Sequence, residues 1–363
     1  MRKILSFCLA ILLFLAILSS CGSKTEKAEE QPVVVETNVP EPVKEAMPEP
    51  ENADTVPEES QENETPADDE YSIVFKGIRP VAVMIDNQGS RVLPQGGLDK
   101  AQIVYEVIVE GGLTRLMPVF WGTEPEMIGP VRSARHYFLD FCMEYDAIYV
   151  HYGGSPQAGR DIKKLNVNEI DGLYLGTDVF WDLTKDPGNW QDSYTSMEKL
   201  KKYAEKKKFK DTTDAGFPLT YNETSSDIVP ADGADAVNIT LKYPSMTSSY
   251  VYDSITGTYK RFRYGKEHME RVSGKQLEAK NIIVMFVRNW NIKGDTAGRQ
   301  DMDTTGSGTG YFITGGKAAR LKWSKESRSS QTKYTYENGD PIVLNRGQTW
   351  IQVMPVNAGV TIE

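Results

Sequence analysis

"AIYVHYGGSPQAGRDIKKL", residues 147–165, reads as a strand, a tight turn and a helix in direct succession. Ile148, Tyr149 and Val150 are the β-branched and aromatic types that suit a pleated surface. Gly153-Gly154 breaks the run. Ser155 then stands where a helix N-cap belongs, with Pro156 at the first helical position and the helix reaching Leu165. Strands that feed helices pack as α/β layers, so this unit sets the fold class of the chain around it.

The flanking sequence extends the same pattern. "RPVAVMID" (79–86) and "AQIVYEVIV" (101–109) read as strands, and "LTRLMPVFW" (113–121) as a third whose alternation breaks at Pro118. "RSARHYFLDFCMEY" (132–145) has apolar residues at 134, 138, 141, 142 and 145, a helical spacing. Thr195 and Glu198 form a capping box before "MEKLKKYAEKKKF". Residues 71–217 are therefore expected to form an α/β layered domain. From 218 to 363 the character changes to β-branched and aromatic runs separated by turn pairs such as Thr256-Gly257 and Asn338-Gly339. That half reads as a mostly antiparallel β domain, which makes the whole chain α+β. Roughly 290 residues after the N-terminal segments exceed what one core usually holds, in keeping with two domains.

The N-terminus points to export. Arg2 and Lys3 precede the apolar run "ILSFCLAILLFLAIL", and "LSSC" ends at Cys21. The run is too short for a permanent span and carries a small-residue cleavage site, so residues 1–20 read as a signal peptide. The site resembles a bacterial lipobox. That resemblance implies diacylglycerol on the Cys21 sulfur, a further acyl chain such as palmitate, and a place on the extracytoplasmic face of the cell membrane. Two or three acyl chains anchor stably where one does not. Of the three cysteines, Cys8 leaves with the signal and Cys21 carries lipid. Cys142, among Leu139, Phe141 and Tyr145, reads as core.

Residues 21–70 read as a disordered acidic tether rich in Pro and Glu. Positions 22–70 hold sixteen acids and three bases, which leaves residues 71–363 with a net charge of +1 from a chain total of −10. The folded part lacks the basic surface that nucleic acid requires.

"RPVAVMIDN", "GLDKAQIVYE", "EGGLTRLMPVFW", "IGPVRSAR", "YDAIYVHYGGSPQA" and "GQTWIQVMP" together resemble the YerB-like lipoproteins. The resemblance implies a lipid-anchored envelope protein with an N-terminal domain of unknown function and a β-rich C-terminal one. It implies no reaction. Trp190-Gln191-Asp192 stands before "SYTS" where members carry a Pro-His-Asn-like step, so that histidine is missing here.

The chemistry-bearing residues fall in two places. In "GPVRSARHYF" (129–138) a helix opening at Pro130 would put Arg132 and Arg135 on one face of its first turn, with Arg115 from the neighbouring strand as a third guanidinium. Guanidinium forks match phosphate and carboxylate oxygens. Asp86, Glu106 and Glu110 could instead answer all three from inside the domain, and both readings stand at this level. The second place is the Gly153-Gly154-Ser155 turn with His151 at the end of its strand, the general shape of an anion loop but without P-loop spacing. The three histidines show no metal-ligand spacing, and no resident cofactor is expected. His268, in a charged loop, reads as surface. Gly306, Gly308 and Gly310 read as a turn or bulge, and Asp295, Asp301 and Asp303 as a solvated loop.

The function class most in keeping with these residues is an envelope protein binding a phosphate- or carboxylate-bearing ligand or partner, such as a cell-wall or lipid-linked anion. An alternative is a cell-wall glycopolymer (polyprenyl-phosphate) transferase. It rests on a loose similarity to the LytR-CpsA-Psr enzymes, which implies pyrophosphate on the arginines and Mg²⁺ on Asp86. A further alternative is a non-catalytic interaction scaffold.

Overall fold

The computed structural model describes residues 77–363 apart from 187, 188 and 190. The signal, Cys21 and the 21–70 segment lie outside the described residues. The first half contributes strands β1 (Val81–Val83), β2 (Ile85–Asp86), β3 (Ile103–Ile108), β4 (Thr114–Phe120), β5 (Ile148–His151) and β6 (Glu169–Asp171). It also holds helices α1 (Phe138–Met143), α2 (Pro156–Leu165) and α3 (Met197–Lys206).

These strands belong to a 12-stranded sheet that continues into the second half. Thr349–Pro355 lies parallel to β3 on one side and to Asn281–Val287 on the other. Gly306–Thr314 and Lys317–Lys325 extend the sheet as an antiparallel pair. The central strands read as near-continuous apolar runs because both faces are covered. Every residue of β3 is buried, Glu106 included. A second, six-stranded sheet is antiparallel throughout and comes from the last 130 or so residues; its main strands are Asn238–Tyr243, Met246–Asp253 and Thr258–Arg263. Alternating burial along Thr258–Arg263 shows one face packed and the other wet.

Strand direction is what positions the candidate site. β1, β3, β5, β6, Asn281–Val287 and Thr349–Pro355 all run the same way. Their carboxyl ends gather along one edge of the sheet, where ligands of open sheets commonly bind. β4 runs opposite and so starts at that edge, with Thr114 and Arg115. A cavity of about 860 Å³ lies toward the amino ends instead, beside α3, and touches none of the arginine segment.

The strand-rich character and the antiparallel second sheet agree with the sequence reading, whereas the α/β layering is not seen as expected. α1 is only six residues long and begins at Phe138, not at Pro130. Residues 130–134 are extended because neighbouring strands take their backbone groups. Asp86 N–H donates to the Pro130 carbonyl, Arg132 N–H to Met84, and Tyr152 N–H to Arg132. Those cross-strand bonds replace the ones a helix would have made. α3 is capped by the Ser196 hydroxyl, one residue later than the Thr195 box. In the mostly antiparallel second half, Thr349–Pro355 runs parallel to both its neighbours.

The glycine run of 306–310 lies inside a strand. A side chain at Gly308 would strike the Trp323 ring, and one at Gly310 the Val284 carbonyl. These glycines permit close approach of strands and are not a turn. Among the described residues no helix is long and apolar enough to cross a membrane.

Candidate functional site

The residues singled out from sequence collect at the carboxyl edge. Asp86 ends β2 opposite Arg115 on β4. The extended strap 130–134 lies between β2 and the run that follows β5, and Ala134 N–H donates to the Gly153 carbonyl. The arginine segment and the Gly153-Gly154 turn, read as separate spots, are thus hydrogen-bonded neighbours.

Three guanidiniums and two carboxylates make up the centre. Arg132 Nε lies 3.0 Å from Asp86 Oδ2. Arg135 grips Glu110 with two nitrogens, Nε to Oε1 at 2.5 Å and Nη2 to Oε2 at 2.8 Å. Arg115 donates to the Ser133 carbonyl, and among the described residues it makes no ion pair. Burial pushes the Arg115 guanidinium down to about 10, assisted by Arg135 and Arg132 and opposed by Glu110 and Asp86. Burial likewise lowers Arg132, against the pull of Asp86. For Glu110 burial acts upward, but the Arg135 hydrogen bond and charge, with Arg115, hold it below its ordinary value. The Arg132 and Glu110 side chains each keep 20% of their surface exposed while Asp86 keeps 2%, so the cluster meets solvent through one arginine and one carboxylate.

Glu106 plays a different part from the one expected. Its carboxylate faces away from the three arginines and pairs with Arg261 at 2.7 Å, both side chains being fully buried. Thr114, Ser248 and Asn87 also donate to it. Arg261 lies 4.1 Å from the Trp350 ring centre and donates through Nε to His268 Nδ1. His268 is therefore buried rather than on the surface, because burial alternates from Glu267 to Glu270 and turns the histidine inward.

His151 is enclosed, with Nδ1 2.9 Å from the Gly153 carbonyl and Nε2 2.9 Å from Glu169. Ser155 caps α2 through the Ala158 N–H. Replacing Ser155 by alanine is expected to cost about 1 kcal/mol of stability in urea unfolding, the effect of a cap and not of a nucleophile. Asp301 pairs with His136, Asp303 with Arg288 and Asp295 with Arg299, so the acids of that loop are engaged. Cys142 is buried, and burial pushes its thiol up.

Sequence reading missed Gln191, Asn87, Gln95, Arg261 and Arg263. Gln191 Nε2 donates to Asp86 Oδ2 at 3.1 Å. Arg263 donates to both the side chain and the carbonyl of Asn87. For Asn87 the "IDN" strand end was an available signal. Arg261 and Arg263 were legible only as a strand alternation.

A strand-rich chain with a shared sheet and this charged edge matches family models along most of its described length. Residues 68–210 match the N-terminal domain, and 239–351 the C-terminal domain, of the protein of unknown function DUF3048. The chain belongs to that family. It is 33% identical over 282 residues to the YerB lipoprotein of Bacillus subtilis (strain 168), covering 76% of this chain and 81% of that protein. The crystal structure of the YerB protein from Bacillus subtilis superposes with a TM-score of 0.69 at 30% identity, over 79% of this chain and 95% of that one.

Proposed function

We propose that this chain is an envelope lipoprotein, anchored through Cys21, that binds a phosphate- or carboxylate-bearing ligand at Arg115, Arg132 and Arg135. The carrying observation is the charge count at the sheet edge: among the described residues three guanidiniums share two carboxylates, and Arg115 donates to a carbonyl without an ion pair. Asp86 and Glu110 then act as positioning residues that hold Arg132 and Arg135 in fixed directions, which spares a ligand the cost of ordering them. The Gly153-Gly154-Ser155 turn and His151 support the strap from behind. The lipoprotein part of the reading draws on the lipobox and on the name of the Bacillus relative.

The transferase alternative is less well supported. Asp86, which it assigns to Mg²⁺, already accepts from Gln88 N–H on Oδ1 and faces Arg132 and Gln191 with Oδ2. The scaffold reading has one observation in its favour, the pairing of Arg132 and Arg135 with acids.

Inorganic pyrophosphate separates these readings. At ten times its dissociation constant a ligand stabilises the native state by about 1.4 kcal/mol. The full lipoprotein in detergent is expected to unfold at a higher temperature with pyrophosphate than with chloride at equal ionic strength. Arg115→Gln should fold and lose that response. A wild-type protein indifferent to pyrophosphate would leave the scaffold reading in its place.

A further inference from the structure

Beside the arginine cluster the sheet edge carries two large apolar side chains in water. Leu173 is 56% exposed and Tyr174 81%. They sit on a short turn, Gly172–Tyr174, directly after the carboxyl end of β6. A lone exposed apolar residue calls for no explanation, but an adjacent pair on a fixed turn at a charged edge does.

The turn is tied to the anion site. One oxygen of Asp171 accepts both the Gly153 N–H at 2.7 Å and the Leu173 N–H at 3.0 Å. Gly172 cannot carry a side chain, because a Cβ there would lie 2.4 Å from the Tyr152 ring. Leu173 in turn reaches over Gly153, where its Cδ2 would lie 3.6 Å from an added Cβ and Ser133 Oγ 3.9 Å. Ser133 is the residue whose carbonyl receives Arg115. From the Leu173 turn to the Arg132 strap is therefore about two strand spacings, roughly 10 Å.

We propose that Leu173 and Tyr174 form the second half of the anion site and seat the sugar ring of a phosphorylated saccharide whose phosphate lies on Arg115 and Arg132. This rests on the anion reading above and gives it a ligand class. The negative face of a tyrosine ring attracts the weakly positive C–H edges of its partners, and a pyranose presents such C–H bonds on one face. A rigid phenol with one polar tip also suits a ligand that is part apolar and part hydroxylated.

The test compares glucose 1-phosphate with inorganic phosphate, titrated calorimetrically into the full lipoprotein in detergent. Wild-type protein is expected to bind the sugar phosphate roughly fivefold more tightly than phosphate. Tyr174→Ala, at an exposed position, should bring the two affinities together and leave phosphate binding unchanged, while Tyr174→Phe keeps the preference. Equal wild-type affinities, or a preference that survives Tyr174→Ala, would overturn the saccharide proposal while leaving anion binding intact. No binding of either compound would overturn both.

Discussion

Replacing Arg261 by methionine is expected to destabilise the protein by about 3–5 kcal/mol, because it leaves Glu106 charged and unpaired in the core. Both side chains of the pair are fully buried. Burial disfavours the Arg261 charge, yet Glu106 and Tyr250 more than reverse that and raise its pKa. Methionine also forfeits the stacking on Trp350. A second substitution, Glu106→Gln, removes the stranded charge and should restore part of the loss, since buried pairs replaced as a unit cost far less than one broken. Arg288→Met serves as control. Its ion pair with Asp303 is largely exposed, and such pairs contribute less than about 1 kcal/mol. Urea unfolding of the intact chain measures all four proteins. An Arg261→Met variant within about 1 kcal/mol of wild type would contradict the central role given to this pair.

The same network makes stability depend on pH through His268. Its Nδ1 accepts from Arg261 Nε at 3.0 Å, so the proton sits on Nε2 and points at Gln95 Oε1, 2.6 Å away. Burial, then the charges of Arg261 and Arg263, holds the imidazole well below its ordinary pKa. In the unfolded chain His268 takes up its proton near pH 6.5, and in the folded chain it does not. The unfolded state thus binds more protons as pH falls, and stability drops below about pH 6.5 with a slope of up to 1.4 kcal/mol per pH unit from this one group. The loss ends only below the depressed folded value. His268→Gln retains an acceptor and a donor without titrating. Its stability curve between pH 7.5 and 5 is expected to be flatter than that of wild type by this slope, and parallel curves would rule the effect out.

What could be read from sequence divides by the range of the interactions involved. Ser155 and Pro156 mark a helix start through bonds within four residues, and α2 begins there. The edge location of Asp86, Arg115 and His151 followed from strand limits that local composition sets. The Gly129-Pro130 step looked equally local, yet its conformation is decided by Gly96 and Asp86, whose backbones take up its hydrogen bonds. Glu106 was read as a counter-charge for nearby arginines, but its partner lies 155 residues further on. His268 sits among charged neighbours in sequence, yet its side chain turns inward to Arg261 and Gln95. The residues of the edge were legible, therefore, while the pairing that tempers their charge was not.

The central place of Thr349–Pro355 also bears on how the molecule comes into being. A ribosome makes this strand well after both of its neighbours, yet it fills the gap between Ile103–Ile108 and Asn281–Val287. Gln348 reinforces the joint by donating to the Leu98 and Ala101 carbonyls. Until that stretch emerges, two long apolar strands keep unpaired edges of the kind that invite association with other chains. Domains that fold as they are synthesised complete themselves from the N-terminus onward, and this architecture forbids that order. The first half must wait for Thr349–Pro355, so a stop before that strand removes the middle of the sheet and not its margin.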